Sequence, residues 1–438
     1  MPSTDFLDVI KAFWPYMVLT WWFWLPPVLC YGAWESWKYY LKKRYFAGLS
    51  WVLLEVRIPK MIAKPPQAME QIFAGLHAGF RHFDFEEKYW LGLQTDFFCF
   101  EIVSVGGRLH FYAYVPTQYR NLFESLVYSQ YPESEIKESE DYLARVPDDI
   151  PNETWNLYGS EFALAKPDPY PIRTYKEFVI EDISSKEEMR KVDPLSALAE
   201  VLAKIKPNEI VSIQLLIRPV GDDWKKEGER LVAKMIGKEI PNETSGLAKF
   251  LSGVQFKNPL ESFGEAVSAH PYRELEVGKE KSRREGTLMQ HLSPGEKDVV
   301  TAIGRNITKL GFETVLRFAY IGRTDEFDMM NFAAMNGVLR QFNTQDLNSF
   351  KVQTKALTTG KWYNPWRARV KVKRKRIFFR YVRGRKPFSD IRLLRSKPFV
   401  FNIEELATIY HFPGETVGAF TTQRVEAKRG EPPADLPM

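Results

Sequence analysis

Apolar residues recur with period two in several short runs and with a helical period in the stretches between them, so the chain reads as mixed α and β. Trp51 to Ile58 alternates as a strand. After Pro65-Pro66, the apolar positions Met69, Ile72, Phe73 and Leu76 give Gln67 to Gly79 a helical spacing. Phe97 to Val105 and Leu109 to Val115 flank Gly106-Gly107, the signature of a hairpin. Thr117 can cap a helix to about Gln130, and Glu135 to Glu138 forms a short strand. This string predicts a small α+β sandwich with helices on one face of an antiparallel sheet, ending near Ile150.

Pro147, Pro151, Pro167, Pro169 and Pro171 make the next stretch a punctuated connection. Phe178 to Asp182 then predicts a strand. Asp193 caps a helix with Pro194 at its first position and Leu195 to Ile205 as its body. Ile210 to Arg218 is a strongly apolar strand, followed by a helix over Asp223 to Ile236. Ser293-Pro294 with Glu296 opens a helix to about Leu310. Phe312 to Ile321 is a strand, and Glu326 to Arg340 a helix. Two strands each set between two helices predict an internal duplication of α-β-α halves, as in split ferredoxin-like pieces, although no residue-level repeat accompanies it. The expected fold class is therefore α+β, with ferredoxin-like-type sandwich domains behind one N-terminal transmembrane helix. The expected layout is 1–45 anchor and basic flank, 46–150 first domain, 151–360 second domain with a flexible insert over about 241–290, and 361–438 basic segment and connector.

The anchor rests on 23 charge-free residues between Lys11 and Glu35, nine of them aromatic. At about 1.5 Å per residue that run can cross a hydrocarbon core about 30 Å thick. Pro15, Pro26 and Pro27 disturb a plain helix, and Trp21, Trp22 and Trp24 suit an interface, so a half-inserted interfacial segment and a buried aromatic hairpin are alternatives. A cleaved signal peptide fits less well, because positive charge follows the run instead of preceding it. Lys38, Lys42, Lys43 and Arg44 after the run, against Asp5, Asp8 and Lys11 before it, place the N-terminus outside and the body on the cytoplasmic side of the membrane. Cys30 and Cys99 are the only cysteines, which excludes a disulfide framework. The sequons at Asn152, Asn242 and Asn306 are then inert.

A net charge of +6 is modest for 438 residues, and its distribution is what informs. Lys361 to Lys386 holds twelve Lys or Arg and no acid, interleaved with Trp362, Tyr363, Trp366, Phe378, Phe379 and Tyr381. Read as an extended segment, its alternation at 368–375 sets a basic stripe on one face. Arg367, Arg369, Lys371, Lys373, Arg374, Lys375, Arg376, Arg380, Arg383 and Arg385 are the candidate contacts. Nucleic acid, the anionic cytoplasmic leaflet, and a solvated hairpin on acidic neighbours are the three readings. Elsewhere the chain holds no phosphate loop, no G-x-G-x-x-G turn, no H-E-x-x-H and no G-x-S-x-G elbow. His77 and His82 do not share a helix face, so neither metal, cofactor nor enzymatic activity is expected.

Phe401-Asn-Ile-Glu-Glu-Leu-Ala-Thr-Ile-Tyr-His-Phe-Pro413, with Pro432-Pro433 and Leu436-Pro437, resembles the connector that precedes the motor core in type IV secretion and conjugation-type ATPases. Trp51 to Pro59, Met69 to His77 and Phe100 to Gly107 add to it. Together these blocks resemble the uncharacterised membrane-anchored domain of such proteins from uncultivated small-genome bacteria. The resemblance implies an accessory or adaptor of a DNA-translocation apparatus that docks a partner ATPase, with the motor absent or encoded separately. Leu406, Tyr410, His411, Phe412 and Pro413 are the expected docking tip. The alternatives are a membrane-tethered nucleic-acid-binding protein and a structural envelope protein.

Overall fold

The computed structural model describes residues 19–58, 64–180, 190–237, 292–353, 358, 366–386 and 398–413. Its first half follows the predicted elements closely: β1 (Trp51–Arg57), α2 (Gln67–Leu76), β2 (Phe98–Val105), β3 (Arg108–Pro116), α3 (Arg120–Gln130) and β4 (Glu135–Glu138), behind the N-terminal helix α1 (Trp21–Gly48). Gly106 and Gly107 close the β2–β3 hairpin at φ 58° and 81°, a region that a side chain rarely enters. The four strands lie in the order β4-β1-β3-β2, all antiparallel. Strands thus alternate with helices as β-α-β-β-α-β, the split βαβ arrangement.

The second half contributes β5 (Trp155–Leu164), α4 (Ser196–Ala203), β8 (Ile210–Pro219), α5 (Asp223–Met235), α6 (Pro294–Asn306), β9 (Gly311–Arg323), α7 (Met330–Leu339) and β10 (Phe350–Val352). A small separate ladder pairs β6 (Val179–Ile180) with β7 (Arg190–Lys191). The sheet continues as β8-β9-β5-β10, so the second half repeats the first as a mirrored strand order about the β2–β8 pair. The repeat of strand order thus lies between the two halves of the chain, whereas the sequence pattern placed a duplication of α-β-α pieces within 151–360. The strands at 210–219 and 311–323 are neighbours within one copy, and the other copy is the whole first half. Helices α5 and α6, with residues 238–291 outside the described set, stand where the first copy has a two-glycine turn.

One sheet of nine strands spans both expected domains. Phe98 to Val105 pairs along its length with Ile217 to Ile210, so the boundary near 150 does not interrupt it. Its first face carries α2, α3, α4 and α7 over a core that includes Phe73, Phe100, Phe111, Ile213 and Phe318. β11 (Phe399–Asn402) adds beside the Gly311 end of β9, and α9 (Ile403–Ile409) packs against α2 on that same face. The second face is covered by α8 (Arg367–Arg383), the 142–150 connection and the C-terminal end of α1.

Two expectations change here. The 367–383 stretch is a helix, not an extended stripe, and β5 lies where a connection was expected. In addition, no helix among the described residues is long and apolar enough to cross a membrane. α1 bears Glu35, Lys38, Lys42, Lys43 and Arg44 in its C-terminal half, and residues 12–18 of the charge-free run lie outside the described set. α1 joins the body through Phe46, which meets Phe97 edge-on, and through the Tyr45 hydroxyl, which donates to Asp96 at 3.0 Å.

Candidate nucleic-acid interface

α8 is helical because its apolar residues fall at Phe378, Phe379 and Val382, one helix face, and that face has a sheet to cover. Phe378 and Phe379 are each 1% exposed and Val382 is fully buried, among Leu157, Ile210, Ala319 and Ile321. Burying three such side chains contributes on the order of 6 kcal/mol. The fit depends on Gly159, where a Cβ would collide with the Phe378 ring and the Phe318 carbonyl oxygen. That glycine also interrupts the apolar pattern of β5, which is why the strand escapes a reading of periodicity.

A buried polar row across four strands then fixes the C-terminal end of α8. Glu161, Arg317, Gln214 and Glu101 are register partners on β5, β9, β8 and β2. The Arg317 guanidinium, with no exposed surface, donates to Glu161 Oε1 at 3.0 and 2.7 Å and to Gln214 Oε1 at 3.3 Å. Its remaining donors reach the carbonyls of Tyr381 at 3.1 Å and Lys386 at 2.9 Å. Gln214 donates to Glu101 at 2.8 Å and to the Val382 carbonyl at 2.9 Å. Arg385, at φ 46°, turns back so that its guanidinium donates to Glu101 at 2.9 Å and to Asp141 at 2.9 and 3.1 Å. Burial opposes the charge on Arg385, yet Glu101 and Asp141 hold its pKa well above the ordinary arginine value. Burial likewise lifts the Asp141 carboxyl, but Arg385 outweighs it and the net shift is downward. Three carbonyls at the end of α8 are thus capped by side chains of the sheet.

The remaining basic residues sort by azimuth. Arg369, Lys373, Arg376 and Arg380 recur at spacings of four, three and four, and face away from the sheet. Arg367 and Lys371 lie on the same side as the buried Phe378, yet they are exposed because the first turns of α8 overhang the sheet. Among the described residues, none of these six meets an acidic partner. Exposed Trp366 and Val372 stand among them. Three candidates leave the list of free contacts. Lys375 is 4% exposed and reaches Asn156 Oδ1, and burial, with Lys371 nearby, lowers its pKa to about 8. Arg385 belongs to the buried row, and Arg383 pairs with Asp148. Arg374 is partly buried. Residues 361–365, with Trp362 and Tyr363, lie outside the described set.

α8 runs alongside β5, with Lys375 level with Asn156, Phe378 with Gly159, and Tyr381 with the Arg317 row. Its overhang therefore points past the Trp155 end of the sheet. α1 departs from the opposite end, beside Phe97 and Trp51. From Phe98 to Val105 is about 24 Å, and from Lys375 to Arg367 about 12 Å more, so roughly 35 Å separates the overhang from that end. The Debye length near physiological salt is about 8 Å.

A family described as a domain of unknown function, DUF8128, matches residues 47–424. The chain belongs to the DUF8128 family. No curated protein matches it. The family's description carries no activity.

The expected docking tip is not an exposed surface. Leu406 and His411 are fully buried, and Tyr410 and Phe412 are 1% and 2% exposed. Tyr410 packs on Phe100 and Phe111, and Phe412 on Phe111 and Tyr131. The two His411 ring nitrogens face the Ala407 carbonyl and Asp193 at 2.8 and 2.9 Å. Pro413 is partly buried at the margin of the same core. A helix ending in Tyr-His-Phe-Pro does make a compact apolar tip, but this DUF8128 chain inserts that tip into its own first face. The Pro432–Pro437 segment lies outside the described residues. Among the described residues no cluster of three or more His, Cys, Asp or Glu is placed to hold a metal.

Proposed function

We propose that this protein is a membrane-attached, non-catalytic body that holds nucleic acid on the outward and overhanging faces of α8. The observation that carries the reading is the division of α8 into a pinned face and a basic one. A helix end tied by Arg317, Gln214 and Arg385 presents Arg369, Lys373, Arg376 and Arg380 at fixed positions about one turn apart. Pre-positioned cations neutralise backbone phosphates at little entropic cost, and each neutralised phosphate releases counterions. The overhang that carries Arg367 and Lys371 stands several Debye lengths from the end where α1 leaves, which favours a soluble polyanion there over headgroups of the membrane that α1 reaches. Attachment by a full span over 12–34, with the N-terminus outside and the body in the cytoplasm, is the form the sequence supports. The adaptor reading loses its contact surface, because the 406–413 segment is part of the core.

The test is binding of a labelled 30-base-pair duplex to the detergent-solubilised full chain between 50 and 300 mM KCl. With six contacts, log K should fall against log salt with a slope of about −5, and the R369Q/K373Q/R376Q/R380Q variant should lose about 3.6 of it. Undetectable binding at 50 mM, or a slope untouched by the variant, overturns the reading. If the variant instead loses only its affinity for anionic vesicles, a lipid headgroup takes the place of nucleic acid.

A further inference from the structure

A second apolar element stands beside α1. The turn at 84–91 ends in a π-helical stretch, Glu87–Leu91, and is stopped by Gly92 at φ 74°. Phe85, Trp90 and Leu91 on this turn are 65%, 63% and 64% exposed. Most of the other large apolar side chains exposed among the described residues belong to α1, including Trp21, Trp22, Phe23 and Tyr31. The two elements form one surface. Trp34 packs on Tyr89 with ring centroids 5.4 Å apart, Trp37 meets Trp90 edge-on at 6.5 Å, and the Trp37 indole donates to the Tyr89 carbonyl at 2.9 Å. Gly92 lies so close to Leu41 that a side chain there would push the turn away.

The level at which they meet is informative. On α1, Trp34 is the last residue of the charge-free run, and Glu35 and Lys38 are the first charges beyond it. The 84–91 turn is held against Trp34 and Trp37, at the boundary between the apolar and charged parts of that helix. Trp and Tyr are favoured at the membrane–water interface, and Lys or Arg just beyond it meets anionic headgroups. Lys38, Lys42, Lys43 and Arg44 continue along α1 on the charged side.

We propose that Phe85, Trp90 and Leu91 insert into the interfacial layer of the bilayer beside α1, as a second contact that fixes the orientation of the body. The occupant is a lipid surface, because the patch is continuous with the apolar part of α1 and begins where that helix acquires positive charge. The proposal rests on the membrane attachment argued above. Two contacts on one rigid end of the sheet direct the Phe97 end toward lipid and the α8 overhang away from it.

The test uses the full chain carrying Cys30→Ser, in which Cys99 is fully buried. An environment-sensitive NBD probe is attached at Leu91→Cys, at Trp22→Cys as the α1 reporter, or at Arg108→Cys on the β2–β3 hairpin. On vesicles of phosphatidylcholine and phosphatidylglycerol, the probes at 91 and 22 should shift to the blue while the one at 108 stays aqueous. Spin-labelled lipids with shallow nitroxides should quench the probe at 91 more than deep ones. The F85S/W90S/L91S variant should partition into vesicles on the order of a hundredfold less. A probe at 91 that stays aqueous while the one at 22 shifts overturns this inference and leaves attachment through α1 standing. If neither shifts, attachment and inference fall together.

Discussion

Arg317 is the centre of the row that pins α8, and its replacement by Met removes five donated hydrogen bonds while nearly preserving volume. Two go to Glu161 and one to Gln214, and two cap carbonyls of the α8 end. What remains is a Glu161 side chain that is 5% exposed, without its counter-ion, and whose Oε2 already lacks a hydrogen-bond partner. Stranding one partner of a buried pair costs about 3–5 kcal/mol, a large share of the 5–15 kcal/mol that stabilises a typical domain. The R317M variant should therefore lose about 4 kcal/mol in urea unfolding, and the amides of the α8 C-terminal turn should exchange faster than the β2–β3 hairpin. Removing the stranded charge as well, in E161L/R317M, should recover all but about 1–2 kcal/mol, because the desolvation penalty of both ions disappears together. A single variant within about 1 kcal/mol of the parent would refute the argument. So would a double variant whose loss equals the sum of the two singles, since the row would then be a set of independent contacts.

Gly159→Ala should displace Phe378 and lower stability by about 3 kcal/mol or more, read as a fall in thermal midpoint, with duplex affinity falling as α8 loosens. Gly75→Ala, where the obstacle is the mobile end of Leu126, should cost less. The third prediction concerns pH. Burial lifts the Glu405 carboxyl to about 8, against hydrogen bonds from the Asn402 and Ile172 amides. Between the ordinary carboxylate range and about 8 the native state binds the extra proton. The contribution is thus complete below the unfolded value, shrinks as pH rises, and is gone above about 8, with a slope of up to about 1.4 kcal/mol per unit. Glu405→Gln should flatten the dependence of urea stability between pH 5 and 8, and equal slopes in both proteins would count against this origin.

The two copies in the sheet show how far pattern reading reaches. Strands 51–57, 98–105, 210–219 and 311–323 announced themselves through apolar spacing. So did most helices, and Ser293 with Glu296 closes the predicted capping box. β5 stayed hidden because Gly159, Ser160 and Glu161 interrupt its apolar run, and each is required by something distant: the Phe378 ring, a neighbouring backbone and Arg317. α8 misled for a different reason. Its Val-Lys alternation at 370–373 lies in turns that overhang the sheet, where no packing enforces a period, while the helical spacing of 375, 378, 379 and 382 carries the contacts.

The sequence by itself determined the mixed α+β class, the strand and helix inventory of the first half, the dense positive charge at 361–386 and the aromatic charge-free run near the N-terminus. These are local quantities, fixed by composition and by residues a few positions apart. Only the tertiary structure decided which cations face outward, that Lys375 and Arg385 are buried, and that the 406–413 tip fills the core. It also decided that α1 and the α8 overhang leave from opposite ends of one sheet. Such outcomes depend on partners separated by tens to hundreds of residues, as when Arg385 meets Glu101, and no spacing along the chain encodes that encounter.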